Sequence, residues 1–376
     1  MKVAVRWSLR TAETIVSQTG SDGLHPDLAA RWAYVPGMML MAIARAGEKY
    51  ANEAYYNFMK RHMDLFVQED GSIQGYRIEE YNLDQINQGK NLFLLMERSG
   101  GRRYEQAAHT LTAQLAGQPR TTDGGFWHKK VYPFQMWLDG LYMSSPFLAQ
   151  YARTFGRGDL FDEVAHQLLL VERRTRDPRT GLLYHGWDEA KEQPWANPVT
   201  GCSQNFWSRA CGWYAMALAD SIEHFPVDHP KRGTLIGVFH RMCNALIRLQ
   251  DAESGLWYQV LDQGSRAGNY LETSGSSMFI YALAKGARLG YLEQPARLAA
   301  EKAFQGLVER FVDTNDAGVH LHSICHGAGL SDDRNGTYDY YIREKVVTDA
   351  QIGVAPFLLA CLEMETMNDH LRFGRD

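Results

Sequence analysis

The sequence predicts an all-α protein built as an (α/α)6 barrel. About twelve segments place apolar residues at helical spacing, and almost none alternates as a strand would. Every second segment also has a glycine near its start, followed by a run that is apolar nearly all round. A helix apolar on all sides is buried, whereas an amphipathic one covers it and faces water, so the alternation predicts six inner and six outer helices.

In chain order the expected helices span 7–18, 34–48, 51–67, 86–99, 102–117, 136–154, 159–174, 207–224, 231–250, 271–289, 294–312 and 348–366. The outer ones include NEAYYNFMKRHMDLF and RRYEQAAHTLTAQL, each with a charged face. The inner ones open as VPGMMLMAIA at Gly37, NQGKNLFLL at Gly89, LDGLYMSSPFLA at Gly140, ACGWYAMALA at Gly212, TSGSSMFIYALA at Gly275 and QIGVAPFLLA at Gly353. These glycines stand 52, 51, 72, 63 and 78 residues apart. Such spacings exceed the common short solenoid periods and favour a closed ring over an open array. A single barrel domain covering 1–376 is expected, since closed barrels pass about 200 residues as one unit.

Parallel inner helices would gather their N-termini at one mouth, where backbone N–H groups and helix dipoles favour an acidic ligand. The polar residues just before each glycine are expected to line that mouth: Asp84, Asn87, Gln88, Asp139, Arg209, Glu272, Ser274, Asp349 and Gln351. Trp32, Tyr34, Trp137, Trp207 and Trp213 fall in the same zone. Carboxylates among tryptophans suit saccharide chemistry, in which flat rings pack on sugar faces and a carboxyl moves protons.

Asp139 lies inside the apolar run YPFQMWLDGLYM, where an uncompensated charge is costly, and is therefore the leading catalytic candidate. Asp84, in YNLDQINQGK, is the second, although its position also suits a helix cap. Arg209, between Trp207 and Trp213, needs an anionic or stacking partner, either a ligand carboxylate or a structural aspartate. His128 and His185 sit on loops entering inner helices, where the plain alternative is a solvated side chain.

The segment HLHSICHG concentrates His320, His322, Cys325 and His326, but at no standard zinc spacing. VDTNDAGVHLHS lacks the acidic twelfth position of a calcium loop. No metal and no cofactor is expected. A net charge of −5 offers no basic field for nucleic acid. The five cysteines are scattered without CxxC pairs and are expected as buried thiols. MKVAVRWSLRTAETIV lacks the apolar stretch of a signal peptide, and no window approaches about eighteen apolar residues, so a cytoplasmic protein without a membrane partner is expected. The chain is expected to be a monomer or a weak homo-oligomer.

The stretches YPFQMWLDGLYMSSPFLAQY, FWSRACGWYAMALAD, LWYQVLD, GNYLETSGSSMFIYALAKG and GTYDYYIRE followed by GVAPFLLA closely resemble glycoside hydrolase family 105, from about Tyr34 to the C-terminus. The resemblance implies an (α/α)6 barrel that removes a 4,5-unsaturated galacturonic acid from unsaturated rhamnogalacturonan fragments of pectin. It implies that Asp139 protonates C4 before water adds at C5, and that the resulting hemiketal opens and releases the neighbouring sugar, expected to be an α-1,2-linked rhamnose. It also makes Asp84 the second acid and places His185, Arg209 and Trp213 on the unsaturated sugar, with Tyr34, His128, Lys129, Trp137 and Met143 in matching segments.

An acid working near neutrality must keep its proton. Apolar neighbours such as Trp137 and a like charge on Asp84 are therefore expected to raise the Asp139 pKa, against the helix N-terminus, and to couple the two carboxyls. Three other functions fit parts of this pattern: an unsaturated glucuronyl hydrolase, an (α/α)6 sugar epimerase, and a non-catalytic sugar-binding protein. The epimerase would want histidine bases on inner helices, and none of the proposed starts carries one. A binding protein would not need Asp139 buried.

Overall fold

The computed structural model describes residues 5–373. Its helices are α1 (Trp7–Ser17), α2 (Pro26–Ala29), α3 (Tyr34–Tyr50), α4 (Glu53–Asp64), α5 (Lys90–Ser99), α6 (Arg102–Gly117) and α7 (Leu138–Thr154). The second half adds α8 (Asp159–Thr175), α9 (Ser208–Ile222), α10 (Arg232–Arg248), α11 (Thr273–Arg288), α12 (Gln294–Phe311), α13 (Tyr338–Arg343) and α14 (Gln351–Phe373). The twelve long helices fall on the twelve expected segments.

Helices α3, α5, α7, α9, α11 and α14 pack side by side in that order, and α14 closes the ring against α3. Each of α4, α6, α8, α10 and α12 covers the inner helix that precedes it. The sixth hairpin joins distant parts of the chain: α1 covers α14, and the Ser8 hydroxyl donates to Glu365 Oε2 at 2.7 Å. Close inner packing explains Gly37, because a Cβ there would lie 2.6 Å from Gln88 Cα. The ring buries one continuous apolar core, and a second small cluster of Trp137, Trp195 and Leu330 sits at its mouth. Charged side chains tie the inner helices together at depth. Asp220 on α9 accepts from Lys285 Nζ and from the Tyr281 hydroxyl, both on α11 and both at 2.6 Å, while Arg45 on α3 donates to that hydroxyl at 2.8 Å.

Two features depart from the expectation. The fourth predicted helix starts at Lys90 rather than 86. Ahead of it residues 78–89 form three 3-10 turns, the second of them capped by Asn82, whose side chain accepts from Asp84 N at 3.1 Å. Three two-stranded ribbons also appear: β1 (Gln135–Trp137) with β2 (Gly186–Asp188), β3 (Val312–Asn315) with β4 (Gly318–Leu321), and β5 (Ile324–Cys325) with β6 (Val346–Val347). Strands of two to four residues are too short to display a period of two. Among the described residues no helix is long and apolar enough to cross a membrane.

Candidate active site

The segment His128–Asp139 builds one wall of the mouth. His128 N donates to Gln135 O at 2.8 Å, which closes the loop between them, and Phe134 turns it in the left-handed region at φ 60°. The chain then runs through β1 into α7, so Asp139 stands in the first turn of that helix. β2 pairs antiparallel with β1, Trp137 opposite Gly186, and Leu138 N donates to His185 O at 3.0 Å. This ribbon carries His185 to Asp139, and Tyr341 on α13 meets the other ring nitrogen, Nδ1, through its hydroxyl at 2.8 Å.

Asp139, Asp84, Tyr34, His128, Lys129, Trp137 and Met143 line a cavity of about 440 Å³, with Tyr132 and the segment 328–334 completing its wall. That volume falls within the range of small-ligand pockets. Lys129 Nζ lies 2.6 Å from Asp84 Oδ2, and His128 Nε2 lies 3.6 Å from Asp84 Oδ1. His185 Nε2 lies 3.2 Å from Asp139 Oδ2, close enough for a hydrogen bond but poorly aligned for one. His128, Trp137 and Tyr132 stack, with ring centres 4.7 and 4.8 Å apart in succession. Gly140 seats this stack, because a Cβ there would meet His128 Nδ1 at 2.9 Å.

Burial sets much of the electrostatics. It pushes the His128 imidazole down to about 4, against the pull of Asp84, so the ring is neutral near pH 7. It pushes the Tyr34 phenol up, helped by Asp84 and Asp139, so the phenol keeps its proton. For Asp139, burial pushes the carboxyl up, but His185 and then His128 outweigh it and hold the group below the ordinary carboxylate range. Burial opposes the charge on Lys129 too, but Asp84 raises its affinity for the proton above the usual lysine value.

This overturns the expected raised pKa of Asp139. The like charge proposed to raise it is neutralised, because Asp84 is paired with Lys129, and the neighbour that acts on Asp139 is His185. Asp84 is also no cap for the fourth helix, which starts at Lys90 with Gly89 at its N-cap and no side-chain cap. The plain reading of the histidines fails as well: His185 is 0% exposed and His128 3%.

Several expected mouth residues lie elsewhere. Glu272 caps α11, accepting from Ser274 N and Gly275 N at 3.0 and 2.6 Å, and is fully buried with Ser274. Asn87 and Gln88 are buried between inner helices, where Gln88 Oε1 accepts from Ala33 N at 2.8 Å. Asp349 pairs with His320 at 2.7 Å, and Gln351 Nε2 approaches Asp27 at 3.4 Å. Trp32 points inward, donating to Gln85 O at 2.7 Å, and Trp207 packs on His185.

Arg209, His185 and Trp213 stand behind the cavity wall. Trp213 meets Tyr34 edge-on at 6.1 Å and stacks on Tyr142 at 5.0 Å. Arg209 Nη1 donates to Cys325 O at 2.6 Å and to the Ser274 hydroxyl at 3.0 Å, and its guanidinium packs on Trp207 at 4.8 Å. That hydroxyl donates in turn to Glu272 Oε1 at 2.7 Å, so the anion nearest in the network is one hydrogen bond removed.

Tyr132, Tyr341 and the segment 328–334 were not singled out by the sequence, although the last lies just past HLHSICHG. His320 and His322 of that motif pair on exposed ribbons with Asp349 and Asp313, and among the described residues no cluster of three or more His, Cys, Asp or Glu side chains converges on a metal position. A cleft of 490 Å³ at the C-terminal ends of α3 and α14 holds none of the predicted residues, and its Glu365 is already engaged by Ser8 and Tyr50.

The profile of Glycosyl Hydrolase Family 88 matches residues 7–368. A solved family 105 glycoside hydrolase of C. acetobutylicum ATCC 824 superposes with a TM-score of 0.92 at 44% identity, over 96% of this chain and 100% of that one. Protein Atu3128 of Agrobacterium fabrum is 41% identical over 230 residues, 59% of this chain and 97% of its own length. The unsaturated rhamnogalacturonyl hydrolase YesR of Bacillus subtilis is 31% identical over 264 residues, 69% of this chain and 72% of its own length. The closed double ring of helices and these matches agree: the chain belongs to Glycosyl Hydrolase Family 88, together with the family 105 enzymes it resembles, and is a glycoside hydrolase.

Proposed function

We propose that this hydrolase removes a 4,5-unsaturated galacturonic acid from the non-reducing end of rhamnogalacturonan fragments. The observation that carries this is the setting of Asp139. It is a largely buried carboxyl on the lining of an aromatic-walled cavity, next to a buried histidine and sharing that lining with a lysine-paired second carboxylate. The name of the Bacillus subtilis relative supports the choice of substrate.

Asp139 gives its proton to C4 of the conjugated double bond, and water adds at C5. The proton that water loses returns to Asp139, so the acid is regenerated and the charge balances. The product is a hemiketal at C5, which opens and releases the neighbouring sugar. Tyr34 donates a hydrogen bond to the bound sugar, Trp137 and Met143 wall it, Trp213 backs Tyr34, and Arg209 packs on Trp207 behind the site. Five buried cysteines without a disulfide suit the cytoplasm, and the continuous core suits one domain over 1–376, of which 1–4 and 374–376 lie outside the described residues.

The test is the ultraviolet absorbance of the conjugated uronate during incubation with lyase-digested rhamnogalacturonan. Absorbance that falls with the native chain and persists with Asp139→Asn supports the reading. Persistence with the native chain rejects it. Loss only with glucuronyl-type unsaturated disaccharides moves the assignment to that substrate class.

A further inference from the structure

Arg334 ends the segment 328–334 that overhangs the cavity, and the segment is firmly held. Leu330 packs into the cluster with Trp137 and Trp195, Gly329 N donates to the Tyr340 hydroxyl at 2.9 Å, and Arg334 N donates to Ser331 O at 3.1 Å. Gly329 leaves room for the arginine, since a Cβ there would lie 3.1 Å from Arg334 Nη1 and 3.8 Å from the Trp137 ring. The guanidinium is thereby laid over the mouth next to the aromatic stack.

Its charge is not taken up in an ion pair among the described residues. Among the described residues no carboxylate oxygen lies within 4.0 Å of it, although Asp332 and Asp333 are its chain neighbours. Asp333 also lines the cavity, but it accepts from the Ser331 hydroxyl at 2.6 Å. The other lysine or arginine on the lining, Lys129, is held by Asp84 at 2.6 Å. Arg334 is exposed where Asp139 is largely covered, so its guanidinium stands on the solvent side of the cavity they share.

We propose that Arg334 is a specificity-determining residue that binds a second acidic sugar on the leaving side of the oligosaccharide. This rests on the proposed reaction and adds to it a preference for fragments carrying a further carboxylate over fragments whose leaving group is neutral. A planar guanidinium takes a carboxylate through two parallel hydrogen bonds, and at an exposed mouth the gain is modest and sensitive to salt.

The experiment compares an unsaturated disaccharide with a neutral second sugar and an unsaturated tetrasaccharide bearing a second uronate, using the native chain, Arg334→Ala and Arg334→Lys. Arg334→Ala raises KM for the tetrasaccharide by about 3- to 10-fold. That rise exceeds the one for the disaccharide, leaves kcat for the tetrasaccharide nearly intact, and shrinks at high salt. Arg334→Lys recovers part of the loss. Equal changes for both substrates, no change, or a difference indifferent to salt overturns the assignment and leaves the reaction standing. A native chain that turns over neither fragment overturns the reaction and this preference together.

Discussion

His185 Nε2 stands 3.2 Å from Asp139 Oδ2, while Tyr341 meets the opposite nitrogen of the same ring at 2.8 Å. The imidazole is fully buried and anchored by Tyr341, so the candidate acid has a fixed polar neighbour. That neighbour, together with His128, keeps the Asp139 carboxyl below the usual range despite burial. The free enzyme at neutrality therefore holds Asp139 largely ionised, and the reaction needs it protonated.

The sign of the pH dependence follows. With the folded pKa depressed, kcat/KM rises as pH falls from neutrality and levels off only below that pKa. Replacing His185 with Asn removes the neighbour and moves this limb to higher pH. A pH–rate profile of the two proteins measures the displacement, and a limb that stays in place rejects His185 as its cause.

Asp84 and Lys129 are expected to act as a unit, given their 2.6 Å separation. Asp84→Asn and Lys129→Met each lower kcat/KM, and the double variant is less impaired than the two losses multiplied together. The coupling is about 1–3 kcal/mol. Kinetics on the four proteins of the cycle measure it, and additive losses would mean that the pair does not work together.

Gly140→Ala is expected to harm the site more than the fold. The new Cβ presses on His128 Nδ1 at 2.9 Å and on Leu83 Cδ1 at 3.0 Å, displacing the stacked imidazole. Overpacking of this kind costs about 1–3 kcal/mol of stability. The displacement lowers kcat/KM by about 10- to 100-fold, since a shift of about 1 Å in a positioned group costs up to 100-fold. Thermal melts and kinetics on one preparation separate the two effects.

Much of this was written in the chain. The glycine before each apolar run revealed the ring because inner helices repeat one packing problem six times, and Gly37 against Gln88 shows the contact that demands it. Asp139 stood out because a carboxylate in an apolar run needs a reason. The direction of its pKa did not, because it depends on His185, which reaches it through a ribbon of three residues per strand. Arg334 was equally hidden, since a loop without period has no face to read. Glu272 misled for a physical reason: a carboxylate before a helix serves a mouth or caps backbone N–H groups, and sequence spacing is the same in both cases.

Two buried lysines should respond oppositely to the same substitution. Lys285 pairs with Asp220 at 2.6 Å and with Glu223 at 2.5 Å, so Lys285→Met takes the ion pair from the buried Asp220, leaving it the Tyr281 hydroxyl, and costs about 3–5 kcal/mol. Among the described residues Lys90 has no hydrogen-bond partner for its amine, which faces the Tyr142 ring at 3.6 Å, and burial pushes its pKa down to about 7. Lys90→Met removes that unsatisfied group and is expected to add about 1 kcal/mol of stability. A base whose folded pKa is depressed costs stability as pH falls from its unfolded value toward the folded one. The gain from Lys90→Met should therefore grow as pH drops from about 10.4 toward neutrality, which denaturant titrations at several pH values check.

The hairpin made of α1 and α14 gives the molecule an order of assembly. Five hairpins are consecutive in the chain and are complete as soon as their residues exist, but the bond from Ser8 to Glu365 spans 357 residues. During synthesis α1 emerges before α14 and waits, its apolar stripe uncovered, until that partner is made. For most of synthesis the ring is an open crescent whose two free flanks, α3 and α11, are both apolar. The same closure makes the contact of α14 with α3 the seam of the barrel, the place where the circle is last to be joined.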